Sequence, residues 1–403
     1  MNIGIITTWF PSGGGYVSKA YRKVLEKENN VFIYARGGNV MKGDIIWDDK
    51  NVTWAPYHYN GIKVTHFLNW IKNKKIDILF FNEQRYWKPV IEAKRAGIVV
   101  GAYVDYYKQS TVKAFEIYDF LICNTKRHYS VFKWHENSHY IPWGTDIKKY
   151  NKIEFSNRKL TFLISAGWQG AFTGDRRGSL LGIEAFTKVV GDCRLLVYSQ
   201  VELNKCLPIW KEKICSDSRI SFIYGTFDPF PYTHGDVFLY PSKLDGIGLT
   251  LPEALSYGLP VITTDNSPMN EFVKDGVNGF LVDVEKFLGR EDGYYWPESY
   301  CNLESLIEKM QLFVNQDSNF LLEFKKKTLN YAINELDWIK NSENLCNIFT
   351  EQLSKKRIIK SEACIYAKRL DNQMSPSFLH KFMSLAKAYF YSILKSIKSN
   401  VHN

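Results

Sequence analysis

Asp245 and Glu253 stand eight positions apart in DGIGLTLPEAL, residues 245–255, and what lies between them suits ligand binding. The stretch follows GDVFLYPS, an apolar run that reads as a strand ending at Pro241 and Ser242. After it comes a helix expected to begin at Pro252 and to be capped by Gly258. Gly246 and Gly248 then fall in the loop between strand and helix, where backbone amides meet a ligand with no Cβ in the way. Those amides and the helix N-terminus form an anion site. Carboxylates accept hydrogen bonds from hydroxyls, so flanking such a site with Asp245 and Glu253 suits a ligand that carries both phosphates and hydroxyls. A nucleotide sugar has both parts.

The rest of the chain must position that loop. Apolar runs such as NIGIITTWF, VFIYARG, IDILFFNE and IVVGAYVD alternate with amphipathic segments such as YVSKAYRKVLEKEN, which keeps Val17, Tyr21, Val24 and Leu25 on one side. Strand, helix, strand order of this kind implies parallel sheets with crossover helices, and ligands at the carboxyl ends of the strands. SHYIPWGTDIKKYNK interrupts the rhythm with Pro142 and Gly144, and the alternation restarts at LTFLISAGW. The expected fold class is therefore α/β, with two Rossmann-like doubly wound domains facing a cleft. The divisions fall at 1–150, 151–354 and a basic helical tail at 355–403, the closing helices up to 354 being grouped with the second domain.

Composition narrows the function classes. The 403 residues are 45% hydrophobic and 23% charged, a globular balance sufficient for two to three domains. MNIGIITTWF lacks the basic n-region of a signal peptide, and no window approaches a membrane span, so a cytoplasmic protein is expected. Seven scattered cysteines without a C-x-x-C pair fit a reducing compartment better than a disulfide framework or a zinc site. Neither these cysteines nor the eight histidines have ligand spacing, so no metal is expected. The net charge of +10 is concentrated: residues 355–403 hold ten Lys/Arg against Glu362 and Asp371, which leaves the preceding 354 residues near neutrality.

Several motifs in order carry a family resemblance. D-G-I-G-L-x-x-x-E-A-L-x-x-G-x-P-V-I resembles the E-x7-E signature of retaining glycosyltransferases with the GT-B fold, the group 1 glycosyl transferases. NEFVKDGVNGFLV (270–282), IPWGTD (141–146), GDRRGSLLGIEAF (174–186) and DWIKNSENLCNIF (337–349) resemble that family's further motifs, so the likeness covers about residues 1–354. The resemblance implies transfer of a sugar from a nucleotide-sugar donor to a saccharide or lipid-linked saccharide, as in surface polysaccharide assembly, without a metal or other cofactor. By the same resemblance Glu253 binds the donor ribose, Asp245 lies near the donor sugar, and Gly246, Ile247, Gly248 and Leu249 form the loop that cradles sugar and diphosphate. Arg177 neutralises the departing diphosphate, with Arg176 as a second cation. Gly13, Gly14 and Gly15 approach donor phosphate or acceptor, and Asp105 contacts donor or acceptor hydroxyls.

Three departures accompany the likeness. Asp245 is one methylene shorter than the usual Glu, Asp105 stands where the family often has His, and the Arg that usually precedes the Lys of K-G has no match in SAGWQGAFTGDRRG. GGG at 13–15 also reads as a plain flexible turn, and GYYWPESY (293–300) either as a sugar-stacking loop or as packing between domains. In the tail, Phe378, Phe382, Leu385, Tyr389, Phe390, Ile393 and Ile397 recur at helical spacing with Lys381, Lys395 and Lys398 mostly off the stripe. An anionic membrane surface at the inner face of the cell membrane is the favoured partner, ahead of packing on the body of the enzyme and of nucleic acid, which is not expected. The rival functions are a nucleotide-sugar 2-epimerase on the same fold and a non-catalytic scaffold docked to membrane.

Overall fold

The structure, a computed structural model, describes residues 1–58, 60–147, 159–168, 175–227, 229–355 and 360–373. The tail stripe from Phe378 to Ile397 lies outside the described residues, as does the expected division near residue 150. Contacts divide the chain into two compact units.

The first unit runs β1 (Asn2–Thr8), α1 (Gly13–Leu25), β2 (Asn30–Arg36), β3 (Val52–Trp54), α2 (Val64–Lys74), β4 (Ile78–Phe81), α3 (Lys88–Arg95), β5 (Val99–Tyr103), β6 (Phe120–Cys123), α4 (Lys126–Phe132) and β7 (Ser138–Tyr140), with the first two residues of α4 grouped with the second unit. Its seven strands form a parallel sheet in the order β3-β2-β1-β4-β5-β6-β7. The ILFF of β4 and VVGAY of β5 are buried at every position, the continuous apolar pattern of a sheet covered on both faces. One close approach dictates a residue type. A Cβ on Gly101 would sit 2.1 Å from the ring of Phe120, which stacks at 8° on Phe80 on the neighbouring strands. The three glycines after β1 begin a helix and do not form a loose turn. Ser12 caps α1 by accepting from the Gly15 amide (3.2 Å), and a Cβ on Gly15 would come within 2.1 Å of the Phe10 carbonyl.

The second unit continues with β8 (Leu160–Gly167), α5 (Ser179–Lys188), β9 (Cys193–Ser199), α6 (Pro208–Cys215), β10 (Ile220–Tyr224), β11 (Val237–Tyr240), α7 (Thr250–Ser256), β12 (Val261–Thr264), β13 (Gly279–Val282), a hairpin of β14 (Val284–Leu288) and β15 (Glu298–Cys301), then α8 (Leu303–Val314), α9 (Ser318–Glu335) and α10 (Trp338–Asn341). Six parallel strands lie in the order β10-β9-β8-β11-β12-β13. Around them Ile164, Phe186, Leu195, Trp210, Met310 and Phe313 build the core. Complete burial of a side chain such as Phe186 contributes about 1.5–3 kcal/mol before entropy is counted. The IPWGTD segment is zipped onto the start of α10. Thr145 accepts from the Trp338 amide (3.0 Å) and donates its own to Leu336 (2.8 Å), with Trp143 and Trp338 at 4.5 Å. A Cβ on Gly144 would collide with the Leu336 carbonyl at 2.4 Å.

The chain then returns. From Glu343 onward it belongs to the first unit, so the helix α11 (Leu345–Ser354), expected with the second domain, packs on the first. The reason is apolar: Phe349, fully buried, meets Phe80 at 5.3 Å and Phe120 at 5.0 Å. The last helix among the described residues, α12 (Ser361–Gln373), follows on the same unit. No helix among the described residues is long and apolar enough to cross a membrane.

Candidate active site

Both sheets reverse strand order between their first and fourth strands, β1/β4 and β8/β11. At such a switch point the loops leave in opposite directions and open a crevice at the carboxyl ends of the strands. The loops at the second unit's reversal hold Arg176 and Arg177 after β8, and Asp245 to Leu249 after β11.

These two loops are stitched together by their own hydrogen bonds. The Arg176 carbonyl accepts from the Lys243 amide (2.8 Å) and the Ser242 hydroxyl (3.3 Å). Gly178 enters α5 at φ +69°, where a Cβ would come within 1.9 Å of the Pro241 carbonyl, so a side chain is excluded there. Asp175 caps the same helix through the Leu180 amide (2.5 Å), and burial raises its carboxyl. Arg177 is aimed back at the strand, donating to the Ser165 carbonyl (2.9 Å) and hydroxyl (3.3 Å).

Asp245 is the anionic counterpart. It accepts a short bond from the buried Tyr240 hydroxyl and a bond from the Gly246 amide (2.8 Å). Burial pushes its carboxyl up, but the Arg176 charge, the Tyr240 hydroxyl, the Arg177 charge and the Gly246 amide outweigh burial and hold it below the ordinary range. The same Asp245 charge raises Arg176. Gly246 has open space where a Cβ would lie, Ile247 is buried, and Gly248 adopts φ +86°. α7 begins at Thr250, two residues before the expected start, so Leu249 caps it and Pro252 lies inside its first turn. Its end is as expected: Gly258 follows the last turn at φ +73°. Glu253, on that helix, accepts from the Tyr232 hydroxyl at 2.7 Å.

The β14–β15 hairpin has no counterpart among the expected elements. It was hidden because its residues read as an aromatic loop, and Phe287 and Leu288 are exposed. With Arg176 it lines a cavity of about 680 Å³ that also includes Arg290, Glu298 and Tyr300. Arg290 is held by Asp292 at 2.7–2.9 Å. Within GYYWPESY, Tyr294 is buried and Trp296 lies 5.0 Å from the Arg127 guanidinium.

Gly13, Gly14, Gly15 and Asp105 belong to the first unit, the glycines opening α1 after β1 and Asp105 following β5, the strand beyond β4. Gly14 faces the Glu83 carboxylate, 2.9 Å from where a Cβ would lie. Burial first, then the Glu83 charge, push the Asp105 carboxyl up to about 8 against the Arg85 and Arg36 charges. Glu83, at φ +53°, was missed in the sequence, although a run of polar residues directly after an apolar strand, as in ILFFNEQR, is the signal that marks it. Tyr232 and Tyr240 were missed because a buried tyrosine in an apolar stretch reads as core. Among the described residues no cluster of three or more His, Cys, Asp or Glu is arranged to hold a metal ion.

Parts of the chain resemble known proteins. Residues 229–287, from the approach to β11 to the start of the hairpin, match the family model described as Glycosyl transferases group 1. An uncharacterized 41.2 kDa protein in the cps region of Klebsiella pneumoniae is 27% identical over 147 residues, 34% of this chain and 37% of that protein. The chain therefore spans little more than a third of that relative. Among solved structures, a glycosyltransferase from Rickettsia africae superposes with a TM-score of 0.68 at 15% identity, covering 88% of this chain and 99% of that one. HepE from Anabaena, solved with UDP and glucose, superposes with a TM-score of 0.64 at 14% identity over 87% of this chain and all of its own. The fold is that of GT-B glycosyltransferases: two α/β units with parallel, Rossmann-like sheets.

Proposed function

We propose that the protein is a glycosyltransferase of surface polysaccharide assembly, which binds a nucleotide-sugar donor at the β8/β11 reversal. From there it passes the sugar, with retention at the anomeric carbon, to a saccharide or lipid-linked saccharide. The observation that carries this reading is the grouping of Arg176, Arg177 and Asp245 on two loops already fastened to each other. As the bond to the donor sugar breaks, negative charge grows on the leaving diphosphate. Fixed guanidinium groups stabilise that charge without having to reorganise. Asp245, kept ionised, accepts hydroxyl hydrogens of the sugar and maintains the charge of Arg176. Glu253, oriented by Tyr232, does the same for ribose. The arginines supply the positive charge that a metal would otherwise bring, and transfer is expected to persist in EDTA. The cps location of the Klebsiella relative supports the polysaccharide setting, and the UDP held by HepE makes UDP the first nucleotide to try. The basic segment 355–403 would hold the enzyme at an anionic inner membrane surface, each Lys or Arg contributing about 1 kcal/mol.

The test is thermal stabilisation of the purified protein by UDP, GDP, dTDP, ADP and CMP, repeated with Glu253→Ala. Stabilisation by one nucleotide that vanishes in the variant is expected; no stabilisation by any of them would overturn the donor site. With the matching sugar nucleotide, NMR of the product linkage decides retention. An epimerised sugar nucleotide formed without acceptor would replace the transferase reading by the epimerase.

A further inference from the structure

The proposed transfer has no task for Tyr240, the last residue of β11. Its ring is buried and lies 6.0 Å from that of Phe238 on the same strand, tilted by only 15°. Its carbonyl is held as well, accepting from the Thr263 hydroxyl of β12 (2.7 Å) and from the Ser242 amide (2.7 Å). Ring and backbone thus bring the hydroxyl to one partner, the Asp245 carboxylate. A phenylalanine would fill the same space with no polar group to satisfy. What the tyrosine adds is the bond to Asp245.

That bond divides the carboxylate evenly. Tyr240 donates to Oδ2, and the Gly246 amide donates to Oδ1 at 2.8 Å. Two donors on two oxygens fix the plane of the group. An ionised carboxylate has about four acceptor positions, so each oxygen keeps one for a hydroxyl of a ligand. The same bonds settle its charge. Burial pushes the Asp245 carboxyl up, and the Arg176 charge, the Tyr240 hydroxyl, the Arg177 charge and the Gly246 amide together pull it down further. Burial and then the Asp245 charge raise the Tyr240 phenol, so the shared proton stays on the tyrosine. A diphosphate brought beside Arg176 and Arg177 offsets their positive charge. The Tyr240 and Gly246 bonds are then what still favours the ionised Asp245.

We infer that Tyr240 is a positioning residue of the donor site: its hydroxyl fixes the plane of the Asp245 carboxylate and keeps it ionised while a diphosphate occupies the two arginines, so that both oxygens meet hydroxyls of the donor sugar. The inference rests on the donor reading for the sugar. The hold on the carboxylate stands on the bond itself.

The test compares Tyr240→Phe with the unaltered full chain in two measurements. Carbon NMR of the aspartate carboxyls follows Asp245, recognised as the signal that Asp245→Asn removes. Losing a donor to the ionised form raises the midpoint, here by about one to two pH units, the usual scale for a bond to a charged group. An unchanged midpoint overturns the inference. The second measurement is titration calorimetry with UDP and with UDP-glucose, UDP-galactose and UDP-N-acetylglucosamine. UDP is expected to bind Tyr240→Phe as it binds the unaltered protein, which also shows that the variant folds, while the tightest of the three sugar nucleotides loses about 10-fold. Asp245→Ala is expected to lose at least as much, and Tyr240→Phe added to it nothing further. Equal losses for UDP and the sugar nucleotide, or losses that add in the double variant, would make Tyr240 a packing residue and overturn the inference. If UDP fails to bind even the unaltered protein while the Asp245 midpoint rises in Tyr240→Phe, the donor reading falls and the hold on the carboxylate remains.

Discussion

The two switch points share a strand order and differ in how their charges are settled. At β8/β11, every charged group considered for the donor has a fixed partner: Arg177 at Ser165, Asp245 at Tyr240 and Gly246, Arg176 beside Asp245, Glu253 at Tyr232. Beside β1/β4, Glu83 after β4 and Asp105 after the neighbouring β5 crowd each other, and Asp105 is pushed up to about 8. One site is preorganised around opposite charges, and the other sets two like charges close together. The sheet fixes where a crevice opens, and the loops decide its chemistry.

The strongest way to break the comparison is to disturb what keeps the second sheet in place. Lys325, on α9, reaches Asp236 at 2.9 Å just ahead of β11, and both are buried. Asp236 also accepts from the Thr161 amide of β8 (3.0 Å), so the pair ties α9 to both strands of the reversal. Lys325→Met leaves that carboxylate buried and uncompensated and is expected to cost about 3–5 kcal/mol in denaturant unfolding. A loss under 1 kcal/mol would mean the reversal does not depend on it. Next comes Arg177→Ala. Removal of a fixed group facing developing charge typically lowers kcat by about 10²–10³-fold, and Arg177→Lys should recover part of it. If kcat is unchanged and only KM rises, Arg177 binds donor without stabilising the departing diphosphate.

How much of this was legible in the sequence follows the same division. The second unit's loops announce themselves because their chemistry is local: glycines, two acids and two arginines lie at fixed offsets from apolar strands. Strand and helix alternation is likewise local, and nearly every expected strand of both sheets is present. What was not legible depends on distant partners. Nothing in LCNIFTEQL says that Phe349 belongs against Phe80 rather than against the preceding helices. The glycines 13–15 read as a turn because helix propensity argues against them, yet Ser12 and the Phe10 carbonyl leave room for nothing larger at Gly15. Glu83 gains its role only when the neighbouring strand β5 brings Asp105 beside it, and Tyr240 only when the loop after its own strand turns Asp245 back onto its hydroxyl.

A subtler effect concerns pH. Asp105 has a folded value of about 8 against an ordinary aspartate near 3.8, so the folded protein retains a proton that the unfolded chain gives up. Stability from this group is complete below the unfolded value and declines as pH rises toward 8. The wild type should therefore lose stability relative to Asp105→Asn between pH 5 and pH 8 in urea titrations at matched ionic strength. Glu83→Gln removes the carboxylate that crowds Asp105 and should shrink the difference, with Arg85 and Arg36 left to favour the ionised form. Parallel curves for wild type and Asp105→Asn would place Asp105 in contact with water and erase this contrast between the units.

The smallest effect belongs to the fastening of α12. Asp371 caps α3 from outside, its two oxygens on the amides of Trp87 and Lys88, while Tyr366 on the same helix donates to the Ser110 carbonyl at 2.6 Å. Loss of a cap costs about 0.5–2 kcal/mol, so Asp371→Ala should lower global stability by about 1 kcal/mol. Burial raises the Asp371 carboxyl, which works against the cap, whereas Asp371→Asn keeps one acceptor and should fall between the two. Hydrogen exchange separates a local from a global change. If α12 only leans on the unit, its amides lose protection in Asp371→Ala while those of β4 and β5 keep theirs. Equal loss in the strands would make α12 part of the cooperative core, held as firmly as the stitched loops of the second unit.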